Sequence, residues 1–194
     1  MKKSLAILVF DEVEVLDFAG PFEVFSVANE LTGHSALNVH TVAPARATVR
    51  AVNGLKIVPD YTLDDCPAPQ IIIMPGGAGT RALLRQPTFL EWLRIKSRTA
   101  EIVASVCTGA LVLGKIGLLD AITTTTHHQC LDELRAIAPA TLIDPTQRFH
   151  DNGKICCAAG ISAGIDLSLH LVSRLLGEDI ANRTSSYMEY ERRS

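Results

Sequence analysis

A cysteine flanked by small residues at the end of an apolar run is the sharpest chemical signal in this chain. The run Ala104-Ser105-Val106-Cys107-Thr108-Gly109-Ala110 passes from a buried-strand pattern into a helical one at Cys107. It is the sulfur analogue of the Gly-x-Ser-x-Gly nucleophile elbow, where a sharp strand-to-helix turn tolerates little bulk on either side. Such a turn is expected to lift the Cys107 sulfur above the sheet edge and aim it at the positive end of the next helix. That arrangement lowers a thiol pKa and favours the nucleophilic thiolate. The competing reading is a cysteine packed as a small hydrophobe, the commonest fate of a free thiol.

Three further segments carry groups that could serve such a nucleophile. Ile71-Ile72-Ile73-Met74-Pro75-Gly76-Gly77-Ala78-Gly79 runs from a strand into a glycine-rich turn, whose backbone N–H groups could hold a developing anion. It lacks both the Gly-x-Gly-x-x-Gly spacing and a Gly-Lys-Ser/Thr ending, so a dinucleotide or phosphate loop is not indicated. A plain strand-to-helix connection is the alternative. Asp17, in Val15-Leu16-Asp17-Phe18-Ala19-Gly20-Pro21, reads either as a helix N-cap or as a functional acid. It is functional only where its loop lies over the ends of the central strands, the place where open α/β sheets bind ligands. His127 and His128 follow the threonine run Thr123–Thr126. Either a Cys-His dyad or a neutral structural histidine beside an exposed one fits that spacing.

The elements that must position these groups follow from periodicity. Leu5–Phe10, Leu37–Ala43, Ile71–Met74 and Glu101–Val106 are nearly continuous apolar runs, the pattern of parallel strands covered on both faces. Between and after them, Phe18–Leu31, Glu91–Arg98, Thr108–Leu118, His128–Ile137 and Ala163–Leu176 read as helices, with Pro21 placed in a first turn. Gln147–His150 and Lys154–Ala158, joined by Asp151-Asn152-Gly153, predict a hairpin. Glu178–Ser194 reads as a polar terminal helix carrying Arg183, Tyr187, Tyr190, Arg192 and Arg193. The expected architecture is a single α/β domain spanning 1–194, with a mostly parallel sheet between helices and a small antiparallel hairpin.

Composition excludes several classes. A net charge of −3 over 194 residues leaves no cationic surplus for a nucleic-acid backbone. No apolar run approaches the roughly 18 residues of a membrane span. The apolar start Leu5–Phe10 meets the acidic pair Asp11-Glu12 too early for a signal peptide. Five cysteines, Cys66, Cys107, Cys130, Cys156 and Cys157, form no disulfide framework and no zinc spacing, so a reducing cytoplasm and no metal are expected. Neighbours Cys156 and Cys157 are expected to pack on opposite faces of one strand.

Taken together, Leu16-Asp17-Phe18-Ala19-Gly20-Pro21, Met74-Pro75-Gly76-Gly77, Val106-Cys107-Thr108-Gly109-Ala110, Thr125-Thr126-His127 and Ala159-Gly160-Ile161-Ser162-Ala163-Gly164-Ile165-Asp166 resemble the ThiJ/PfpI superfamily. This superfamily has a flavodoxin-like fold related to class I glutamine amidotransferases. Within it, the Asp-x-x-Gly-Pro and Cys-Thr-Gly pieces are similar to the branch of isonitrile hydratases and the sensor-like domains of AraC-type regulators. The resemblance implies Cys107 as nucleophile and Asp17 as its acidic partner. It also implies Thr108 beside the sulfur and backbone N–H groups of Gly76 or Gly77 for anion stabilisation. His127, His128 and Ile161 would line the pocket. His128 departs from the tryptophan usual in the hydratase branch, and Cys157 from a frequent threonine.

The activity implied is hydration of an isonitrile to an N-substituted formamide without metal or organic cofactor. Cys107 would form a covalent thioimidate and Asp17 would act in turn as acid and base, its pKa raised by desolvation and by the neighbouring thiolate. The alternatives are another cysteine enzyme (glyoxalase, amidase or peptidase-like) or a small-ligand or oxidation sensor. Asp17 in place of glutamate, and Thr108 rather than histidine after Cys107, count against the peptidase-like branch. Gly177–Ser194 is expected to be too short for a tandem helix-turn-helix unit. A homodimer is implied, as is common in the superfamily.

Overall fold

Uninterrupted runs of branched apolar residues favour strands with no wet face, and those runs form the middle of one sheet. In the computed structural model, which describes residues 2–192, the first half of the chain holds β1 (Lys3–Leu8), α1 (Val15–Leu31), β2 (Leu37–Ala43), β3 (Val49–Arg50), β4 (Lys56–Ile57), β5 (Tyr61–Thr62), β6 (Ile71–Met74), α2 (Thr80–Leu83) and α3 (Pro87–Thr99). The second half holds β7 (Ile102–Val106), α4 (Gly109–Lys115), β8 (Thr123–Thr124), α5 (Leu131–Ile137), β9 (Leu142–Ile143), β10 (Phe149–Asn152), β11 (Ile155–Ala158), α6 (Ala163–Leu176) and α7 (Glu178–Tyr187).

Seven of these strands pair in the order β10-β11-β7-β6-β1-β2-β5. Every neighbouring pair is parallel except β10 with β11. All of β6 and β7 is buried, as expected for parallel strands sealed between helices. Each buried Ile or Val contributes roughly 1.5–3 kcal/mol relative to exposure. One group of helices, α1, α6 and α7, packs together, and α4 packs with α2 and α5. Because Met74 is in register with Ser105 and Ala158 with Val106, the central strands end level, and the loops that follow them converge on one sheet edge. Among the described residues no helix is long and apolar enough to cross a membrane.

Several boundaries differ from the sequence expectation. β1 ends at Leu8, and β7 starts at Ile102. Helix α1 starts at Val15, not Phe18, so Pro21 falls in its second turn, where the missing N–H leaves the carbonyl of Asp17 without its helical partner. The expected helix Thr108–Leu118 is shorter, Gly109–Lys115. The expected helix His128–Ile137 splits into a 3₁₀ turn, His128–Cys130, and α5. In the hairpin, β10 runs on through Asn152, and the reversal comes at Gly153 (φ +81°). Glycine adopts that left-handed backbone at no steric cost. The terminal helix α7 stops at Tyr187 and is not wholly solvated, since Ala181, Thr184 and Ser185 are buried. Arg193 and Ser194 lie outside the described residues.

Candidate active site

Cys107 lies directly after β7, with φ +54°, the left-handed region that costs a non-glycine residue about 1–3 kcal/mol. The surrounding bonds fix it there. Its N–H donates to the carbonyls of Ala159 (2.9 Å) and Ala158 (3.2 Å), and its own carbonyl accepts the Thr126 hydroxyl at 2.8 Å. Gly109 explains why the turn is built of small residues: a Cβ there would stand 2.0 Å from the carbonyl oxygen of Met74.

Asp17, in the first turn of α1, is completely buried. Its Oδ2 accepts the Gly76 N–H at 3.0 Å, and the carboxyl shares a hydrogen bond with the Cys107 thiol. Among the described residues no N–H or O–H group reaches Oδ1. Burial drives the Asp17 pKa up to about 7; the bonds from Gly76 and Cys107 restrain it, and the charge of Glu14 adds to the rise. The like charge that assists burial is therefore Glu14, not the thiolate of the sequence expectation.

The thiol also departs from expectation. Cys107 is only 6% exposed, buried rather than standing clear of its surroundings. Burial first, and then the Asp17 carboxylate, push its pKa up to about 12. Backbone N–H groups of Thr108 and Ile161 bond to the sulfur and pull the other way, but desolvation wins over dipoles at this depth. The resting sulfur is a thiol.

Gly76 and Gly77 approach the site, yet both N–H groups are already engaged. Gly76 donates to Asp17. Gly77 donates to Thr108 Oγ1 at 2.9 Å, and the Thr108 hydroxyl donates back to the Gly77 carbonyl at 3.1 Å. Neither glycine offers a free anion donor, which corrects the role expected of them. The donors that do face the sulfur come from Thr108 and Ile161. Sequence reading placed Ile161 only in the pocket wall. Its φ of +46° turns its N–H to the thiol, and a branched residue gives no sequence signal for that conformation.

Behind Thr126, Ala159 and Ile161, which bond to Cys107, lies a pocket of about 320 Å³ whose walls also include Thr125, His127, His128 and Arg148. His127 Nδ1 accepts the Gln129 N–H at 3.3 Å, and burial, with His128 next, lowers the His127 pKa. The ring is therefore neutral, with its proton on Nε2. His128 is exposed, with its ring 4.3 Å from that of His127. No bond joins either histidine to Cys107, so a Cys-His dyad is absent among the described residues. Arg148, part of this wall, carried no motif; Thr125 belonged to the Thr125-Thr126-His127 piece, but no role was assigned to it. Cys156 and Cys157 are buried packing residues on β11.

Known proteins resemble this chain in sequence and fold. Isonitrile hydratase of Pseudomonas putida is 34% identical over 190 residues, which cover 98% of this chain and 79% of that protein. The HTH-type transcriptional regulator GbdR of Pseudomonas aeruginosa is 29% identical over 98% of this chain, but the match spans only 51% of the regulator. Among solved structures, a ThiJ/PfpI family protein from Pseudomonas syringae superposes with a TM-score of 0.89 at 28% identity, covering 100% of this chain and 77% of that one. Drosophila melanogaster DJ-1beta shares the fold, with a TM-score of 0.85 at 17% identity over 98% of this chain and 100% of that one. The model of the DJ-1/PfpI family matches residues 3–174. By fold, motifs and sequence, the chain belongs to the DJ-1/PfpI family.

Proposed function

We propose that this chain hydrates isonitriles, R–NC, to N-substituted formamides, with Cys107 as nucleophile and Asp17 as the proton carrier. The observation that supports this most is the pairing of the Cys107 thiol with a buried carboxyl whose pKa, about 7, lies near working pH. General acid–base catalysis is most effective in that range. The 34% identity to isonitrile hydratase supports the substrate class.

Asp17 takes the thiol proton as the sulfur forms a bond to the terminal carbon of the isonitrile. It then delivers that proton to the same carbon, giving the thioimidate Cys–S–CH=N–R. Water next adds to this carbon; Asp17 removes one water proton and passes it to nitrogen. Collapse of the tetrahedral Cys–S–CH(OH)–NH–R breaks the C–S bond. The hydroxyl proton goes through Asp17 to the departing sulfur, and R–NH–CHO leaves. Splitting the addition in two gives each step an easier barrier. Thr108 and Ile161 N–H groups stabilise charge on sulfur in both steps.

Incubating the protein with cyclohexyl isocyanide and following formamide by NMR tests the reading. Formamide from the wild type, lost in Cys107→Ala and Asp17→Asn, supports it; no formamide from the wild type overturns it. Lactate from methylglyoxal in its place would identify glyoxalase chemistry. A second reading, a small-ligand sensor, is favoured by the regulator that matches across 98% of this chain; it predicts saturable ligand binding without turnover. An oxidation sensor is less well supported, because the thiolate is the form that oxidises and this thiol is held protonated. Both readings take residues 1–194 as one domain acting as a homodimer, which sedimentation analysis tests.

A further inference from the structure

The pocket walled by Ile161 and Thr126, two residues bonded to Cys107, presents hydrogen-bond donors and a cation that the hydration chemistry does not use. Arg148 forms part of its wall, and its guanidinium is oriented from behind. Nε donates to the buried Asp166 Oδ2 at 2.6 Å, and Nη2 contacts the same oxygen and Ser162 Oγ. Tyr190 OH donates to the other Asp166 oxygen at 3.1 Å. Nη1 makes no hydrogen bond among the described residues. Thr125, in the same wall, is 1% exposed, and its Oγ1 has no partner. A buried hydroxyl left unpaired is costly unless a ligand or water completes it. His127, with its proton on Nε2, adds a further donor. No residue lining the pocket is acidic, and Asp166 is not among those that do.

We infer that the substrate carries a carboxylate, held by Arg148 Nη1 and the Thr125 hydroxyl while its reactive end meets Cys107. Ile161 connects the two ends: it lines this pocket and gives its N–H to the sulfur. An arginine fixed through Nε and Nη2 presents a pre-organised edge to an anion, at little further entropic cost. This inference rests on the hydratase reading for the reacting group, but not for the anchor.

The experiment compares isocyanoacetate with its methyl ester as substrates, and N-formylglycine with its methyl ester as binding probes in calorimetry. In the wild type the acids are expected to be favoured by at least about tenfold, expressed in KM and Kd rather than kcat. In Arg148→Gln the acid-to-ester ratio falls towards one, and Arg148→Lys recovers part of it. Because Arg148→Gln removes the guanidinium that faces the buried Asp166 carboxylate, Arg148→Gln/Asp166→Asn serves as a companion with the same expected loss. Equal handling of acid and ester by the wild type, or a preference that survives both glutamine variants, overturns the inference. Absence of turnover with N-formylglycine binding that depends on Arg148 sinks the hydratase reading but leaves the carboxylate anchor standing.

Discussion

Thr108 and Gly77 exchange two hydrogen bonds through a single hydroxyl, which accepts the glycine N–H at 2.9 Å and donates to the glycine carbonyl at 3.1 Å. The loop after β6 is thereby clamped to the loop after β7, and Asp17 reaches the thiol across that clamp. Thr108→Val keeps the shape but leaves a buried N–H unpaired, so unfolding free energy is expected to drop by about 1–3 kcal/mol. Thr108→Ser is expected to retain most of it. Urea titration of the three proteins measures the difference.

Gly76 has no room for a side chain. A Cβ there would meet Thr108 N at 2.5 Å, Thr108 Oγ1 at 2.7 Å and Asp17 Oδ2 at 2.8 Å. Gly76→Ala is therefore expected to push the carboxyl off the thiol, to abolish the proposed formamide formation and, because the nearest clash is with backbone, to lower Tm markedly. A variant that keeps wild-type kcat/KM would show that the Gly76–Asp17 bond is dispensable.

Asp17 makes stability depend on pH in an unusual direction. Its folded pKa, raised to about 7 chiefly by burial, lies above the ordinary carboxylate value. Between about pH 4 and 7 the native state therefore holds a proton that the unfolded chain has released, and stability contributed by this group falls as pH rises. The expected loss is on the order of a few kcal/mol, complete near pH 7 and constant above it. Asp17→Asn should flatten that part of the profile, which unfolding of both proteins at pH 5 and pH 8 reads directly.

Cys107 is expected to be a slow thiol at neutral pH. Burial and the adjacent carboxylate hold its pKa at about 12, so iodoacetamide labelling, followed by peptide mass spectrometry, should lag behind that of the half-exposed Cys130. Removing the like charge with Asp17→Asn should shift the labelling profile of Cys107 to lower pH. An unchanged profile would mean that burial alone sets the value.

Much of the fold was legible because its signals are local. Leu37–Ala43, Ile71–Met74 and Ala163–Leu176 begin and end where periodicity places them. The start of α1 was not legible: Glu14 at its N-cap makes no side-chain capping bond, and Pro21 suggested a later start. At the site, the family resemblance brought Asp17, Gly76 and Cys107 together, but gave nothing of the depth at which they sit. Depth reversed the expected shift of the thiol and consumed the Gly76 and Gly77 donors. Arg148 was invisible, because a lone arginine in a hairpin segment becomes a pocket wall only through Asp166, 18 residues further on.

The left-handed backbone at Cys107 sets durability against chemistry at one position. Glycine would rest there without steric penalty, so Cys107→Gly should outlast Cys107→Ala on heating, although both lack sulfur. Thermal tolerance and a sulfur at this turn are therefore opposed demands on one residue.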